Sequence, residues 1–328
     1  VTAPPLASPR RKRGKDIRQV TIDVDLTDRA PLLTLDVAGV AALTRPSRER
    51  RVELLLEESR HFLARALAEL VAPKELAAVG ALYSGGGDST VMAHIFRADL
   101  THTIHANTGV GIEATRQFVR QTSAAWEIPL VEGHPPPGST YRELVLDRGF
   151  PGPGQHKKMF QRLKERAVHA ARDSFITNNR RQRVLFLAGR RREESKRREN
   201  IPILERRRTI AYVSPIALWH KLDLITYRLM VGDVPVNQVS DLIHMSGECL
   251  CGSFAEKGEL DEIGWWFPEV RTYIEALERE ALAVARTGRF PVERAKWGWG
   301  AYRTERNRPK RSASGLMCSS CDARGTAA

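Results

Sequence analysis

No stretch of this 328-residue chain approaches the ~18 consecutive apolar residues that a membrane helix requires, which excludes a chain built on transmembrane helices. The basic residues within Val1–Lys15 have no apolar segment behind them. They do not read as a secretory signal, and the expected location is cytoplasmic. Cysteine is scarce: four in a chain of this length are too few for a disulfide-built secreted scaffold. Repeats of solenoid period are absent, as are low-complexity tracts outside the ends. What is present, 42% hydrophobic and 28% charged residues, is ordinary for a globular protein and excludes wholesale disorder. The length fits about two domains, or one large α/β domain with extensions.

Acidic residues are outnumbered, 39 Asp+Glu against 52 Lys+Arg, for a formal charge of +13. The excess is localised: residues 1–18 carry +5, residues 178–208 carry +8 and residues 303–324 carry +4, leaving −4 for everything else. Arginine clustered in this way suits a polyanion, and nucleic acid is the partner to expect, while terminal runs also occur as solvated tails. The four cysteines are not scattered. Cys249 and Cys251 form one pair, Cys318 and Cys321 another, with 66 residues between them. Four soft ligands in two close pairs suit Zn²⁺ or an iron–sulfur cluster, and spacing alone does not choose between the two. The alternative is a set of structural thiols.

The chain divides into a basic tail (1–18), an N-terminal extension (19–76), a core (77–232) and a C-terminal lobe (233–328). The extension holds an alternating run, Val20–Leu26, and a helical stretch around Glu49–Val71. In the core, apolar runs at Ala77–Tyr83, Thr101–Ala106, Pro129–Glu132, Val184–Ala188 and Ile210–Val213 read as strands. Helical segments at Val91–Phe96, Ile112–Trp126, Lys157–Ser174 and Leu222–Met230 alternate with them. That alternation predicts an α/β fold with a doubly wound parallel sheet, a helical N-terminal extension and a small Cys-bearing C-terminal lobe. Residues 133–156, rich in Pro and Gly, read as a mobile connection. His102 and His105 read as packed side chains, and Trp265-Trp266-Phe267 and Trp297-Gly298-Trp299 as packing for the C-terminal lobe.

The strongest chemical signal is Ser84-Gly85-Gly86-Gly87-Asp88-Ser89-Thr90, set between a strand and a helix. Glycines there turn backbone N–H groups around an anion, the helix N-terminus adds partial positive charge, and the hydroxyls of Ser84, Ser89 and Thr90 add donors. A Walker A loop is excluded, since Gly-Asp-Ser stands where Gly-Lys-Ser/Thr would. An aspartate among phosphates needs either a bridging Mg²⁺ or a role as helix cap.

This loop resembles the S-G-G-x-D-S pyrophosphate (PP) loop of the adenine nucleotide α-hydrolase-like superfamily. Downstream segments narrow the resemblance to the phosphoadenosine phosphosulfate (PAPS) reductase family and its ATP-pyrophosphatase-like relatives in DNA phosphorothioation. Asn107-Thr108-Gly109 resembles the family's D/N-T-G loop, and Gly189-Arg190-Arg191-Arg192-Glu193-Glu194-Ser195 its G-x-R-x-x-E-S motif. Ser214-Pro215-Ile216 with Trp219, and Val234-Pro235-Val236-Asn237 followed by Cys249 and Cys251, are supporting likenesses. The resemblance spans residues 77 to about 255. It implies that Ser84–Thr90 hold the pyrophosphate or sulfate end of an adenine nucleotide and that Asn107, Thr108 and Gly109 lie near the adenosine. Gly189, Arg191 and Glu194 would close over the phosphates, with Asp88, Arg191 and Glu194 as the catalytic set.

The departures from the family pattern direct the functional expectation. The C-terminal Glu-Cys-Gly-Ile/Leu-His of sulfonucleotide reductases is absent, as is the Cys-Cys pair of their iron–sulfur forms. Met159 stands where related enzymes carry a cysteine. The resemblance therefore implies ATP with Mg²⁺ and adenylation for sulfur transfer to nucleic acid. A [4Fe–4S] cluster or Zn²⁺ would sit on Cys249, Cys251, Cys318 and Cys321, and a sulfur-donor or reductant protein would be a partner. Reduction of PAPS or its unphosphorylated analogue (APS) is the alternative. A non-catalytic protein that binds nucleotide and nucleic acid is the reading from another class.

Overall fold

The computed structural model describes residues 19–25, 29–195 and 198–300. Cys318, Cys321 and the terminal basic segments expected to contact nucleic acid lie outside the described residues. The chain opens with β1 (Gln19–Ile22), α1 (Val37–Ala42) and α2 (Arg45–Arg65). Next come β2 (Glu75–Leu82), α3 (Gly87–Ile95), β3 (His102–Ala106), α4 (Glu113–Ala125) and β4 (Leu130–Gly133). Three helices follow, α5 (Tyr141–Arg148), α6 (His156–Phe160) and α7 (Arg166–Phe175), and after them β5 (Gln182–Ala188), β6 (Leu204–Arg207) and β7 (Ile210–Val213). The last helices are α8 (Lys221–Val231), α9 (Gln238–Ile243), α10 (Glu259–Trp266) and α11 (Pro268–Arg286). Among the described residues no helix is long and apolar enough to cross a membrane.

The strands form a seven-stranded mixed sheet in the order β1-β6-β7-β5-β2-β3-β4, the α/β architecture expected. β2 pairs with β5 and β5 with β7 in parallel, whereas β6 pairs antiparallel with both β7 and β1. The antiparallel edge departs from an all-parallel expectation. Only Arg208 and Thr209 separate β6 from β7, so the connection is a hairpin, with Arg208 at φ +55°.

The chain forms two compact units. The first comprises the described residues of Val1–Leu82, Asp88–Thr103 and Arg172–Pro235. Its centre is β5, where Val184, Leu185, Phe186 and Leu187 are all buried, as a strand covered on both faces requires. α2 packs through Val52, Leu55 and Phe62, and its Ser59 accepts a hydrogen bond from Trp219 Nε1 (3.0 Å) while donating to the Pro215 carbonyl (2.8 Å). The Ser-Pro-Ile…Trp segment is therefore a packing element.

The second unit comprises the described residues of Tyr83–Gly87, Ile104–Ala171 and Val236–Ala328. Its core joins Tyr141, Phe150, Leu163, Ile274, Trp297 and Trp299. Trp297 Nε1 donates to the Leu250 carbonyl (2.8 Å) and Trp299 Nε1 to that of Phe150 (2.6 Å), so this aromatic pair packs the lobe as expected. Trp265 and Trp266 do not: they are exposed, Trp265 by 81%. The presumed mobile stretch 133–156 contains α5, whose capping box pairs Thr140 Oγ1 with the Glu143 amide and the Glu143 carboxylate with the Thr140 amide. His105 is buried, with Nδ1 2.9 Å from the Tyr83 carbonyl, a packed side chain as expected.

Candidate nucleotide site

In the first unit, α3 begins within the glycine-rich segment, so Asp88 stands in its first turn with Ser89 and Thr90 buried behind it. The chain leaving β5 passes this turn at backbone distance. A Cβ on Gly189 would lie 2.8 Å from Ser89 Cα and 2.9 Å from Ser89 N, so no other residue fits without moving α3. Two residues on, Arg191 Nε donates to Asp88 Oδ2 at 2.8 Å, and Arg191 Nη1 donates to Glu193. Burial works against the Arg191 charge, but Asp88 foremost, then Glu193 and Glu194, raise its pKa overall. Asp88 is thus neutralised by the arginine of the downstream motif, a solution the sequence did not suggest. Glu194 is paired with Arg198.

The neighbouring arginines differ in what they hold. Arg192 donates to the Ile201 carbonyl (3.2 Å from Nη2) and is structural. Arg190 donates Nε to Ser214 Oγ at 3.1 Å, while its Nη2 is buried with no hydrogen-bond partner among the described residues. Burial pulls the Arg190 pKa down, and Glu205 only partly offsets it. His220 was not singled out from sequence. It lies close enough to Glu193 and Arg191 to feel both charges, and burial lowers its pKa, favouring the neutral ring.

In the second unit, Gly85 adopts φ +76°, and a Cβ there would come within 2.9 Å of Val119 Cγ2, so glycine is required. Asn237 Nδ2 donates to the Gly85 carbonyl at 2.9 Å and to Thr115 Oγ1 at 3.3 Å. Asn237 is thus a clamp on the loop, a role its place in the Val-Pro-Val-Asn segment did not disclose.

Asn107 and Thr108 are buried braces. Asn107 Nδ2 donates to Glu132 (2.7 Å), its Oδ1 accepts from the Gly109 amide (3.0 Å), and Thr108 Oγ1 donates to the Glu248 carbonyl (2.9 Å). Of the three, only Gly109 is exposed. Glu132 is held down to about 2, chiefly by hydrogen bonds from Arg120, against burial and with help from Asn107. A carboxylate depressed in this way stabilises the fold fully above the ordinary glutamate range and ceases to do so as pH falls towards 2. The melting temperature should therefore drop between pH 5 and 2, and Glu132→Gln should flatten part of that drop in circular-dichroism melts.

Cys249 and Cys251 are half-buried and hydrogen-bonded to each other. Cys251 Sγ lies 3.2 Å from Ser253 Oγ, and His156 also hydrogen-bonds to it. The bond with Cys249, with His156 and Ser253 adding to it, sets Cys251 well below the ordinary thiol range against the effect of burial. The same bond, with burial, sets Cys249 above it. Lys164 pairs with Glu248 alongside; burial opposes its charge, yet Glu248 and Cys249 raise its pKa.

Among the described residues no set of three or more His, Cys, Asp or Glu side chains is arranged to hold a metal ion. Of the four sulfurs expected to bind a cluster or zinc, only Cys249 and Cys251 lie among the described residues, and two sulfurs alone do not complete such a site. The Asp88, Glu193 and Glu194 carboxylates each accept from an arginine through one oxygen.

No match was found among curated proteins. Among solved structures, the chain is similar to a phosphoadenylyl-sulfate (PAPS) reductase from Candida auris in a phosphate complex. Identity is 17%, with 61% of this chain and 93% of that one covered and a TM-score of 0.41. It is also similar to Candida glabrata FMN adenylyltransferase in complex with FAD and inorganic pyrophosphate, at 12% identity, 64% and 66% coverage and a TM-score of 0.41. The model of the phosphoadenosine phosphosulfate reductase domain matches residues 78–242, half of the chain and every loop described above except the cysteine segment. The chain belongs to the phosphoadenosine phosphosulfate reductase domain family.

Proposed function

We propose that Ser84–Thr90 hold the pyrophosphate end of ATP and that the chain is an ATP pyrophosphatase, adenylating an acceptor oxygen for sulfur transfer to nucleic acid. The observation that supports this most is Arg190, a desolvated guanidinium with a buried, unpartnered Nη2, next in sequence to the glycine that touches the first turn of α3. A buried donor without an acceptor is costly, and a phosphate oxygen would satisfy it with a charge-assisted hydrogen bond. The α3 N-terminus supplies backbone donors, and Arg191 cancels the aspartate that would otherwise repel the anion.

In the reaction, an acceptor oxygen attacks the α-phosphorus, the bond to the bridging oxygen breaks and pyrophosphate leaves. A sulfur nucleophile then displaces AMP from the activated position. The chain's own contribution is positioning and neutralisation of the charge that builds on pyrophosphate.

A second reading, sulfonucleotide reduction, draws on the segment Ser246–Cys251. The Thr115 hydroxyl donates to the Ser246 carbonyl (2.7 Å), the Ile112 amide to that of Gly247 (2.8 Å), and the Leu250 amide to that of Val110 (3.2 Å). Ser246 lies against Gly86 of the loop. The two thiols therefore follow directly on a segment packed against the nucleotide loop.

With nucleic acid supplied as acceptor, labelled pyrophosphate should exchange into ATP in the presence of the full chain, purified without oxygen, and Arg190→Gln should lose at least tenfold of that rate. Absence of exchange, with sulfite released from PAPS when thioredoxin is supplied, would select the reductase instead.

A further inference from the structure

Arginine is concentrated at a second place in the first unit, away from the loop residues. β2, β5 and β7 run parallel, so Glu75, Gln182 and Ile210 begin at one edge of the sheet. β6 runs antiparallel, so its end, Arg206-Arg207, and the turn residue Arg208 reach that same edge. There a cleft of about 440 Å³ is lined by Lys74, Arg180, Arg183, Arg206 and Arg208. Its other lining side chains are neutral and polar, none of them aromatic, and no carboxylate lines it. The adjacent Glu75 carboxylate is occupied, accepting from Gln182 Nε2 at 3.1 Å.

We propose that this cleft is a second anion site, taking consecutive phosphodiester groups of a nucleic acid backbone. Five cations facing one concavity repel each other unless an anion joins them. Arg183 registers the repulsion, its pKa lowered by burial and then by the charge of Arg206. It is also fixed in place, donating Nη1 to the Leu70 (2.6 Å) and Val71 (3.0 Å) carbonyls. With no apolar or aromatic wall to receive a base, the cleft suits phosphates rather than a nucleoside and reads no sequence. Arg181, exposed next to Arg180 in the chain, lengthens the basic strip. Gly189 and Arg191 follow the other end of β5, seven residues away, about 20 Å at a strand's rise. The two sites therefore lie at opposite ends of β5.

The test is fluorescence anisotropy of a labelled 20-base-pair duplex of arbitrary sequence with the full chain, from 50 to 200 mM salt. The comparison is with Arg180→Gln/Arg208→Gly, since glycine accepts the positive φ of residue 208 and the hairpin turn is kept. The terminal basic segments contribute equally to both proteins. The double variant should bind more weakly, with a log–log salt slope shallower by about 1.8, and Arg180→Gln alone shallower by about 0.9. Scrambling the duplex should change nothing, and both variants should bind ATP in the absence of duplex as tightly as the parent does. Unchanged slopes in variants that melt like the parent would overturn the proposal. So would displacement of the duplex by tripolyphosphate at equal phosphate concentration, which would make the cleft a site for small polyphosphates.

Discussion

Arg191→Met should lower ATP–pyrophosphate exchange by about a thousandfold. The substitution keeps much of the side chain's bulk while removing the charge that binds Asp88 Oδ2 at 2.8 Å and the Glu193 carboxylate. Both carboxylates retain some exposure, 20% and 30% of their side chains, so water reaches them and loss of the arginine need not unfold the unit. A bare carboxylate about 4 Å from a phosphate costs about 4 kcal/mol at an effective dielectric of 20, which is close to three decades of affinity or rate. The mechanism makes a second demand. Neutralising Asp88 in the Arg191→Met background should restore part of the activity, because the repelling charge is then gone. Asp88→Asn alone should cost less than Arg191→Met alone. Exchange rates and nucleotide titration calorimetry on the four proteins of this cycle would measure the coupling. Retention of activity within tenfold in Arg191→Met would remove Arg191 from the site.

Parts of this arrangement were legible in the chain before folding. β7 occupies Ile210–Val213 as read, and β2, β3 and β5 lie within two residues of their expected bounds. A four- to eight-residue apolar run that stops at Ser, Asn or Gly is a strong signal of a strand ending at a functional edge. β6 was missed because its sequence, Leu-Glu-Arg-Arg, has the composition of a solvated stretch. Only the sheet shows that Glu205 is buried between Gln19 and Arg207. The capping box that starts α5 was readable as Thr140-x-x-Glu143, but the surrounding Pro and Gly outweighed it. At the site, the glycines were recognisable and their reasons were not. Gly189 is required by a backbone 100 residues earlier, an approach that no local pattern encodes. Three consecutive arginines could not be ranked from sequence either. Folding gives Arg192 a carbonyl, Arg191 two carboxylates, and leaves Arg190 with the open donor.

The largest loss of stability should come from a pair that takes no part in the chemistry. Arg51 on α2 and Asp223 on α8 are both completely buried and joined twice, Nε to Oδ1 at 2.9 Å and Nη2 to Oδ2 at 3.1 Å. Arg51 also donates to the Leu32 carbonyl, and Asp223 Oδ2 accepts from the His220 amide at 2.7 Å, closing the start of α8. Removing one member strands a charge in the interior, so Arg51→Leu should cost about 3–5 kcal/mol. For a unit of this size that lowers the melting temperature by about 10 °C. Removing both charges should be less damaging, because the stranded carboxylate is gone. Arg51→Leu/Asp223→Leu should recover part of the loss but not all, since the Leu32 carbonyl and His220 amide then lack partners, at about 1–3 kcal/mol each. If the double variant melts no higher than Arg51→Leu, the damage lies in packing and not in the unpaired charge. The pair also bears on the nucleotide site, because Asp223 fixes the backbone of His220, whose ring lies within the field of Glu193 and Arg191. Loosening it should weaken nucleotide binding at temperatures below the melt, before any loss of helix is seen.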